Sequence, residues 1–336
     1  ALARRPSAQA LGGARTARRW AARAAALAMT APALLLQGCG GGGRSVDIQP
    51  LPNKTTETTT TTSQTSYASQ RVGSFLALGD WGWDKDIHGE IDSVACQQAI
   101  ADAMADSARA LGDVKFVINV GDSFYPGGVA NKSDPAWDVK WRNIYAEELR
   151  AVPWYSVYGN HDIHVDPCAC ADDVAECAQV NANTSDLSYF YMPNTSYFVE
   201  HEDIGLEVVA LDMNYYTWVN YTCPWTPCEE KCRTNLKARM DAAFELFYQR
   251  TAASQASSLV VFSHYPTDYF WGFPKFLDAL RNESRTHIEY FGGHRHNVDQ
   301  NSTTSTAPQS NWVVGGGGGW GCACGGWGSA GGGWGS

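Results

Sequence analysis

No stretch of this 336-residue chain approaches the ~18 uninterrupted apolar residues of a membrane-spanning helix, which excludes a multi-pass helical membrane protein. Basic charge is also scarce. Residues 1–46 hold seven Arg and no acid, leaving 18 basic against 35 acidic residues in the rest, a net of −17 within an overall −10. A body that acidic is unsuited to sequence-independent nucleic-acid binding, which needs a basic surface. Charged residues make up only 18%, against 44% hydrophobic and 12% aromatic. That balance excludes a disordered chain and is enough for one large core or two small ones.

Cysteine, by contrast, is plentiful. Ten Cys are high for a cytosolic protein and point to an oxidising compartment. An Arg-rich stretch, Arg4 to Arg23, leads into a short apolar run from Ala24 to Leu36. Residues 1–46 therefore read as a targeting segment: a secretory signal with an overlong basic region, or an Arg-rich, acid-poor organelle transit peptide. A lipoprotein-type signal ending at Cys39 is a third reading. Seven Asn-x-Ser/Thr sequons, at Asn53, Asn131, Asn183, Asn194, Asn220, Asn282 and Asn301, favour the secretory route to a secreted, vacuolar or lysosomal location.

Residues 47–71 form a Thr-rich linker too polar to bury a core. Order is expected from Val72, and residues 72–314 are expected to form the catalytic domain. The pattern predicts strands at Ser74–Leu78, Val114–Val120, Pro153–Tyr158, Tyr197–His201, Leu206–Leu211, Leu259–Phe262 and Ile288–Phe291. Helices are expected at Asp92–Leu111 (with Val94, Ile100, Met104 and Ala108 on one side), Trp137–Leu149, Leu236–Arg250 and Phe276–Arg281. A tight turn at Asp203 to Gly205 joins the fourth and fifth strands. Strands alternating with helices indicate an α/β domain. From Gly315 to Ser336 a Gly-Gly-Trp-Gly repeat with a period of seven, centred on Trp320, Trp327 and Trp334, reads as a low-complexity tail without chemistry.

Polar groups recur where the strands end. Asp80, Asp122, Asn160, His161, His264, His294 and His296 follow five separate strands, on what is expected to be one edge of one sheet, where α/β sheets place their sites. A single Asp there is an ordinary turn or cap, and a single His an ordinary surface residue. The set is not ordinary, because it takes four of only eight His and glycines flank nearly every member.

Gly79-Asp80-Trp-Gly82, Gly121-Asp122-Ser-Phe-Tyr125, Gly159-Asn160-His161-Asp162, Val261-Phe-Ser-His264 and Gly293-His294-Arg-His296 resemble the five motifs of purple acid phosphatases. These belong to the calcineurin-like metallophosphoesterase superfamily, and the small tartrate-resistant, mammalian-type branch is the nearest in motif. The resemblance covers about Val72 to Gly319. It implies a two-sheet β-sandwich flanked by helices, the four-layer metallophosphoesterase fold. It also implies that Asp80, Tyr125 and His296 hold one ion, that Asn160, His264 and His294 hold the other, and that Asp122 bridges them. Most of the superfamily begins with Asp-x-His, the His being a ligand; here Gly82 stands in that place, and Tyr125 is where purple phosphatases supply a tyrosinate.

The hard anionic first set suits Fe(III), and the neutral second set suits Fe(II), Zn(II) or Mn(II). Three anionic ligands against five positive charges leave +2, or +1 with a bound hydroxide, a centre that attracts a phosphate ester. The activity implied is hydrolysis of phosphate monoesters in acid, with a metal-bound hydroxide as nucleophile, His161 as general acid and Asp162 orienting it. A phosphodiesterase or nucleotidase of the same fold is the alternative, and an inactive binding protein is disfavoured because all seven ligands are present. Mammalian-type relatives carry another His after His264-Tyr-Pro266. This chain reads Thr267-Asp-Tyr-Phe-Trp-Gly-Phe273, so Asp268 or Tyr269 is expected to substitute, with Trp271 and Phe273 as candidate substrate walls. Cys168, Cys170, Cys177, Cys223, Cys228 and Cys232, in two insertions, are expected to form disulfides near the site mouth, with a zinc site as the alternative. Cys96 is expected to be a free core thiol.

Overall fold

The computed structural model describes residues 73–82, 93–164, 176–180, 189–215, 223, 226–281, 286–296 and 311–318. The targeting segment, the Thr-rich linker, Cys168, Cys170, five of the sequons (Asn53, Asn183, Asn220, Asn282 and Asn301) and the three tail tryptophans lie outside the described residues.

The described strands form two sheets. In the first, β1 (Ser74–Leu78), β2 (Val114–Asn119), β3 (Trp154–Ser156) and β4 (Phe190–Tyr191) lie side by side in sequence order, all parallel. In the second, β5 (Tyr197–His201), β6 (Leu206–Ala210), β7 (Ser258–Phe262), β8 (His287–Gly292) and β9 (Asn311–Val313) follow in order. Here β5 is antiparallel to β6 and the remaining pairs are parallel. The helices are α1 (Ser93–Leu111), α2 (Glu147–Arg150), α3 (Glu229–Ala253) and α4 (Pro274–Arg281).

Strand patterning dictates this layering. Successive side chains point to opposite faces, and the second sheet is apolar on both. Val208, Ala210, Val260, Phe262 and Phe291 join the core shared with the first sheet. Their neighbours Val209, Leu211, Leu259, Val261, Ile288 and Tyr290 pack instead with Met240, Ala243 and Phe247 of α3 and Phe276, Leu277 and Leu280 of α4. A sheet covered on both faces reads as continuous hydrophobic runs such as Leu259 to Phe262, which is why those strands were legible. Between the sheets, Phe75 stacks on Phe116 and meets Phe291 edge-on at 5.7 Å, and Phe116 stacks on His201 at 4.9 Å. The opposite face of the first sheet is roofed by α1 and an aromatic cluster in which Trp81, Trp141 and Tyr145 all meet Trp154 edge-on. The architecture is thus the α/β two-sheet sandwich with flanking helices.

Several boundaries differ from the pattern. Val94 is 52% exposed. It lies six residues from Ile100, and at ~100° per residue that is far from the buried stripe, which holds Cys96 and Gln97 instead. The helix expected at Trp137–Leu149 is divided into a π-helical turn at Trp137–Arg142 and the short α2. The wide turn seats both Trp137 and Trp141 in the core. The longest helix, α3, begins seven residues before the expected Leu236, because its first turns are polar apart from the buried Cys232. The turn after β5 is a 3₁₀ segment, Glu202–Ile204, closed by Gly205 at φ 63°, a left-handed conformation that favours glycine. Strands β4 and β9 are too short to carry a period.

Trp154 is fully buried, and its indole Nε1 donates to the Leu149 carbonyl at 2.8 Å. Trp154→Ala is expected to lower unfolding stability by about 3–5 kcal/mol in urea titration. A loss below about 1 kcal/mol would show that the cluster does not anchor the first sheet.

Candidate metal centre

Every residue of the strand-end set lies at the carboxyl edge of a strand, but the set is divided between the two sheets rather than gathered on one. Asp80, Asp122 and Asn160 follow β1, β2 and β3, while His264, His294 and His296 follow β7 and β8. The pattern of apolar runs gives strand ends but not which strands pair, so one sheet edge was expected where two meet. The two sheet edges meet through the loops. The Gly293 N–H donates to the His264 carbonyl, the His294 N–H to Asp80 Oδ2, and His264 Nδ1 to the Val120 carbonyl.

Two overlapping groups of donor atoms result: Asp80, Asp122 and His296, and Asp122, His264 and His294. Within each group the donor atoms lie within 4.8 Å of one another. Tyr125 joins the first group, with Oη 2.8 Å from Asp122 Oδ2, 2.9 Å from His296 Nε2 and 3.3 Å from Asp80 Oδ1. Asn160 joins the second, its Oδ1 3.0 Å from His264 Nε2. All seven expected ligands are therefore brought together, and Asp122 belongs to both groups.

Backbone geometry marks the same residues. The described non-glycine residues at positive φ are Asp80 (55°), Asp122 (51°), His294 (69°) and His296 (51°). Each such conformation costs free energy, and such outliers cluster where function requires them. Gly82 is equally constrained: a Cβ there would lie 1.7 Å from the Ser123 carbonyl oxygen. The loop has no room for a side chain at that position, while Tyr125, whose N–H donates to the Gly82 carbonyl at 2.6 Å, extends its phenol into the centre.

The donor set fits cations. His264 Nδ1 is used on Val120, so in a neutral ring Nε2 is a lone pair, yet it faces Asn160 Oδ1, His294 Nδ1 at 3.2 Å and Asp122 Oδ2 at 3.4 Å. Asn160 Oδ1 and Asp122 Oδ2 can only accept, so a neutral His264 turns a lone pair toward two acceptors in a buried site, which a positive charge among them relieves. In the first group, a single phenol proton faces two carboxylates and an imidazole. The buried Asn160 turns its oxygen inward and leaves its Nδ2 without a hydrogen bond among the described residues. A carboxylate- and phenol-rich group beside an imidazole- and amide-rich one fits two ions of different hardness.

Without a cation, protons do this work. Burial disfavours a charged His264, but Asp122 outweighs it and raises the imidazole to about 9. Burial likewise opposes ionisation of Asp122, yet His264 holds its carboxyl well below the usual range. Burial and then the His264 charge push His294 down to about 3. Burial, with Asp122 and Asp80, keeps the Tyr125 phenol protonated.

The two expected catalytic residues separate. His161 donates its backbone N–H to Asp122 Oδ1 at 2.8 Å, its Nδ1 lies 2.8 Å from the Pro126 carbonyl, and its ring packs 4.5 Å from that of Tyr125. Asp162 was expected to orient it but serves the backbone: its buried carboxylate accepts from the N–H groups of Gly159, Ser123 and Phe124. Burial and then Asp122 raise it to about 7, against those hydrogen bonds. It ties the loops after β2 and β3 together, and the Pro126 carbonyl orients the imidazole.

Other positioning groups left no motif in the sequence. Lys140, on the π-helical turn, donates to the Gly82 carbonyl at 3.3 Å and to the Tyr125 carbonyl, bracing the loop that carries the phenol. Its only signal was a lysine inside an apolar helical pattern. Gly315 to Gly318, assigned to the tail, belongs to the site: the Gly317 N–H donates to the Gly79 carbonyl, and a Cβ on Gly315 would lie 2.7 Å from Asp80 Oδ2. Beyond His264, Asp268 is ion-paired with Arg295, Tyr269 stands edge-on to His294, and Phe273 packs on Phe244, so Phe273 is core. Trp271 is 65% exposed. Cys223 and Cys232 form a disulfide, Cys177 and Cys228 are also disulfide-bonded, and Cys96 is a buried free thiol. That favours disulfides over a zinc site.

Fold and donors together define an α/β protein with a candidate two-metal centre where two sheet edges meet. The calcineurin-like phosphoesterase family model matches residues 73–298, and the chain belongs to that family. It is 31% identical over 134 residues to purple acid phosphatase 7 of Arabidopsis thaliana, covering 38% of each chain. It is 32% identical over 101 residues to tartrate-resistant acid phosphatase type 5 of Sus scrofa, covering 30% of this chain and 28% of the relative. The chain thus spans about a quarter to two fifths of these relatives' lengths. A solved structure titled GAP50, the anchor in the inner membrane complex of Plasmodium, overlays 72% of this chain and 71% of that one at a TM-score of 0.46 and 19% identity.

Loading the metal-free protein at pH 7 is expected to release at least one proton per chain, because His264 is raised to about 9 and is protonated there. Calorimetry in buffers of different ionisation enthalpy reads this; no release would refute His264 as a ligand. Since Asp122 serves both groups, Asp122→Asn is expected to deplete both ions in elemental analysis, not one.

Proposed function

We propose that the protein is an acid phosphatase of the purple acid phosphatase type, hydrolysing phosphate monoesters at an Fe(III)–M(II) centre in which M is Fe(II), Zn(II) or Mn(II). The observation that carries this reading is Tyr125 Oη set between Asp122, Asp80 and His296 while Gly82 excludes a side chain. A phenol oxygen among carboxylates is a hard, anionic donor suited to a trivalent ion. In this reading Asp80, Tyr125 and His296 hold the Fe(III), Asn160, His264 and His294 hold the divalent ion, and Asp122 bridges.

When bound, such a pair of ions supplies Lewis acidity toward the phosphoryl oxygens and activates water as nucleophile at low pH. The remaining steps fall to the chain. His161 donates through Nδ1 to the Pro126 carbonyl, which fixes the ring, so that in its doubly protonated form Nε2–H gives a proton to the departing alcohol oxygen and the ring is left neutral. Its backbone N–H holds Asp122 Oδ1, so the proton donor and the shared carboxylate are registered to one another. Asp162 keeps the two loops at that spacing through three backbone N–H groups. The disulfides and the exposed sequon residues Asn131 and Asn194 support passage through the secretory route.

On metal-replete full chain assayed from about pH 4 to 8, an aryl phosphate monoester is expected to be cleaved in preference to the matching diester, with the optimum on the acid side. A diester preference near neutral pH would replace the enzyme class with a phosphodiesterase. His161→Ala is expected to keep both metals and lose about 10²–10⁴-fold in turnover; wild-type turnover in that variant would remove His161 from the chemistry.

A further inference from the structure

Tyr269 is the aromatic polar residue beside the centre that no other part of the site uses. It lies on the 3₁₀ turn Thr267–Phe270, which starts directly after Pro266. Its ring stands edge-on to His294 with centroids 5.2 Å apart and lies 5.5 Å from that of Tyr265. Arg295, between His294 and His296, places its guanidinium carbon 5.7 Å from the Tyr269 ring centroid and ion-pairs with the neighbouring Asp268. The turn and the ligand loop are thereby clasped together, and the ring is bounded by an imidazole, a second phenol and a guanidinium.

The hydroxyl is treated differently from the ring. It makes no hydrogen bond among the described residues, and the side chain is only half-buried. By contrast the buried hydroxyl of Tyr265, next to it, donates to Asn214 Oδ1 at 3.1 Å. A phenol held by its ring, with its O–H left unpaired at the edge of a cation-binding site, is preorganised to donate to an anion that binds there. Arg295 is a weaker candidate for that contact, because Asp268 already balances its charge.

We propose that Tyr269 is a substrate contact whose Oη–H donates a hydrogen bond to a phosphoryl oxygen of the bound phosphate monoester, with Asp268 and Arg295 as the positioning residues that hold its ring against His294. The inference rests on the phosphatase reading of the same centre, and phosphate binding tests it separately from turnover. Tyr269→Phe keeps the ring and deletes only the donor. With metal content and melting temperature unchanged, it is expected to weaken binding of inorganic phosphate to the metal-replete full chain by about ten- to a hundredfold, the scale of a hydrogen bond to a charged group. The kcat/KM for an aryl phosphate monoester is expected to fall by a similar factor. Arg295→Met is expected to lose several-fold in phosphate affinity alone but less than twofold further in the Tyr269→Phe background. Phosphate affinity within twofold of wild type in Tyr269→Phe overturns the contact, and fully additive losses overturn the positioning role of Arg295. If the wild type binds phosphate but cleaves no monoester, the phosphatase reading fails while phosphate affinity still decides Tyr269. A wild type that binds no phosphate overturns both.

Discussion

Electron-rich donors packed without enough protons between them are the constraint from which the rest of this molecule follows. Two carboxylates, a phenol, an amide oxygen and three imidazoles occupy a rim where Asp80 and His264 are fully buried. Burial removes the water that would otherwise separate them. The protein resolves the conflict with a positive charge, a proton on His264 when no ion is bound and cations when they are. Strain accompanies the arrangement, because four of those residues take left-handed backbone conformations. A fold that tolerates this must be rigid everywhere else around the site.

That rigidity comes from the layers. The first sheet is braced on one face by tryptophans and tyrosines around Trp154 and on the other by the second sheet through Phe75, Phe116 and Phe291. The second sheet is sealed on its outer face by α3 and α4. Loops that carry the donors are then held by polar groups rather than by apolar packing. Asp162 gathers three backbone N–H groups, and Lys140 holds two carbonyls behind the phenol. The ion pair of Arg295 with Asp268 ties the turn after His264 to the ligand loop. Each replaces backbone freedom with a charged or multiply bonded side chain, which is what holds donors within a few tenths of an ångström.

Polarity within the site is asymmetric. Tyr125 and Asp80 stand on one side of Asp122, and Asn160 and His294 on the other, so one carboxylate joins an oxygen-rich group to a nitrogen-rich one. His161 is attached to the same carboxylate through its backbone and to Pro126 through its ring. His161 and the candidate metal donors are therefore one hydrogen-bonded unit, and the Tyr269 ring stands edge-on to His294 of that unit.

Strand existence was legible in the sequence, because apolar runs are local; the seven-donor set was expected from the five-motif resemblance, and the structure brings those side chains together. Apolar runs such as Val114 to Val120 and Leu259 to Phe262 read as buried strands, the first followed by Gly121-Asp122 and the second by Ser263-His264, where a turn presents a polar side chain. Tyr125 entered that set through the resemblance alone, Gly82 standing where most of the superfamily has a His. Tertiary structure alone decided that the donors come from two sheets, since pairing depends on contacts far apart in the chain. It also decided that Asp162 binds backbone rather than His161, that Gly315 to Gly318 closes over Asp80 rather than trailing as a tail, and that Asp268 answers Arg295. Periodicity records which face of an element is buried. It does not record which charged groups, hundreds of residues apart, meet once the faces have closed.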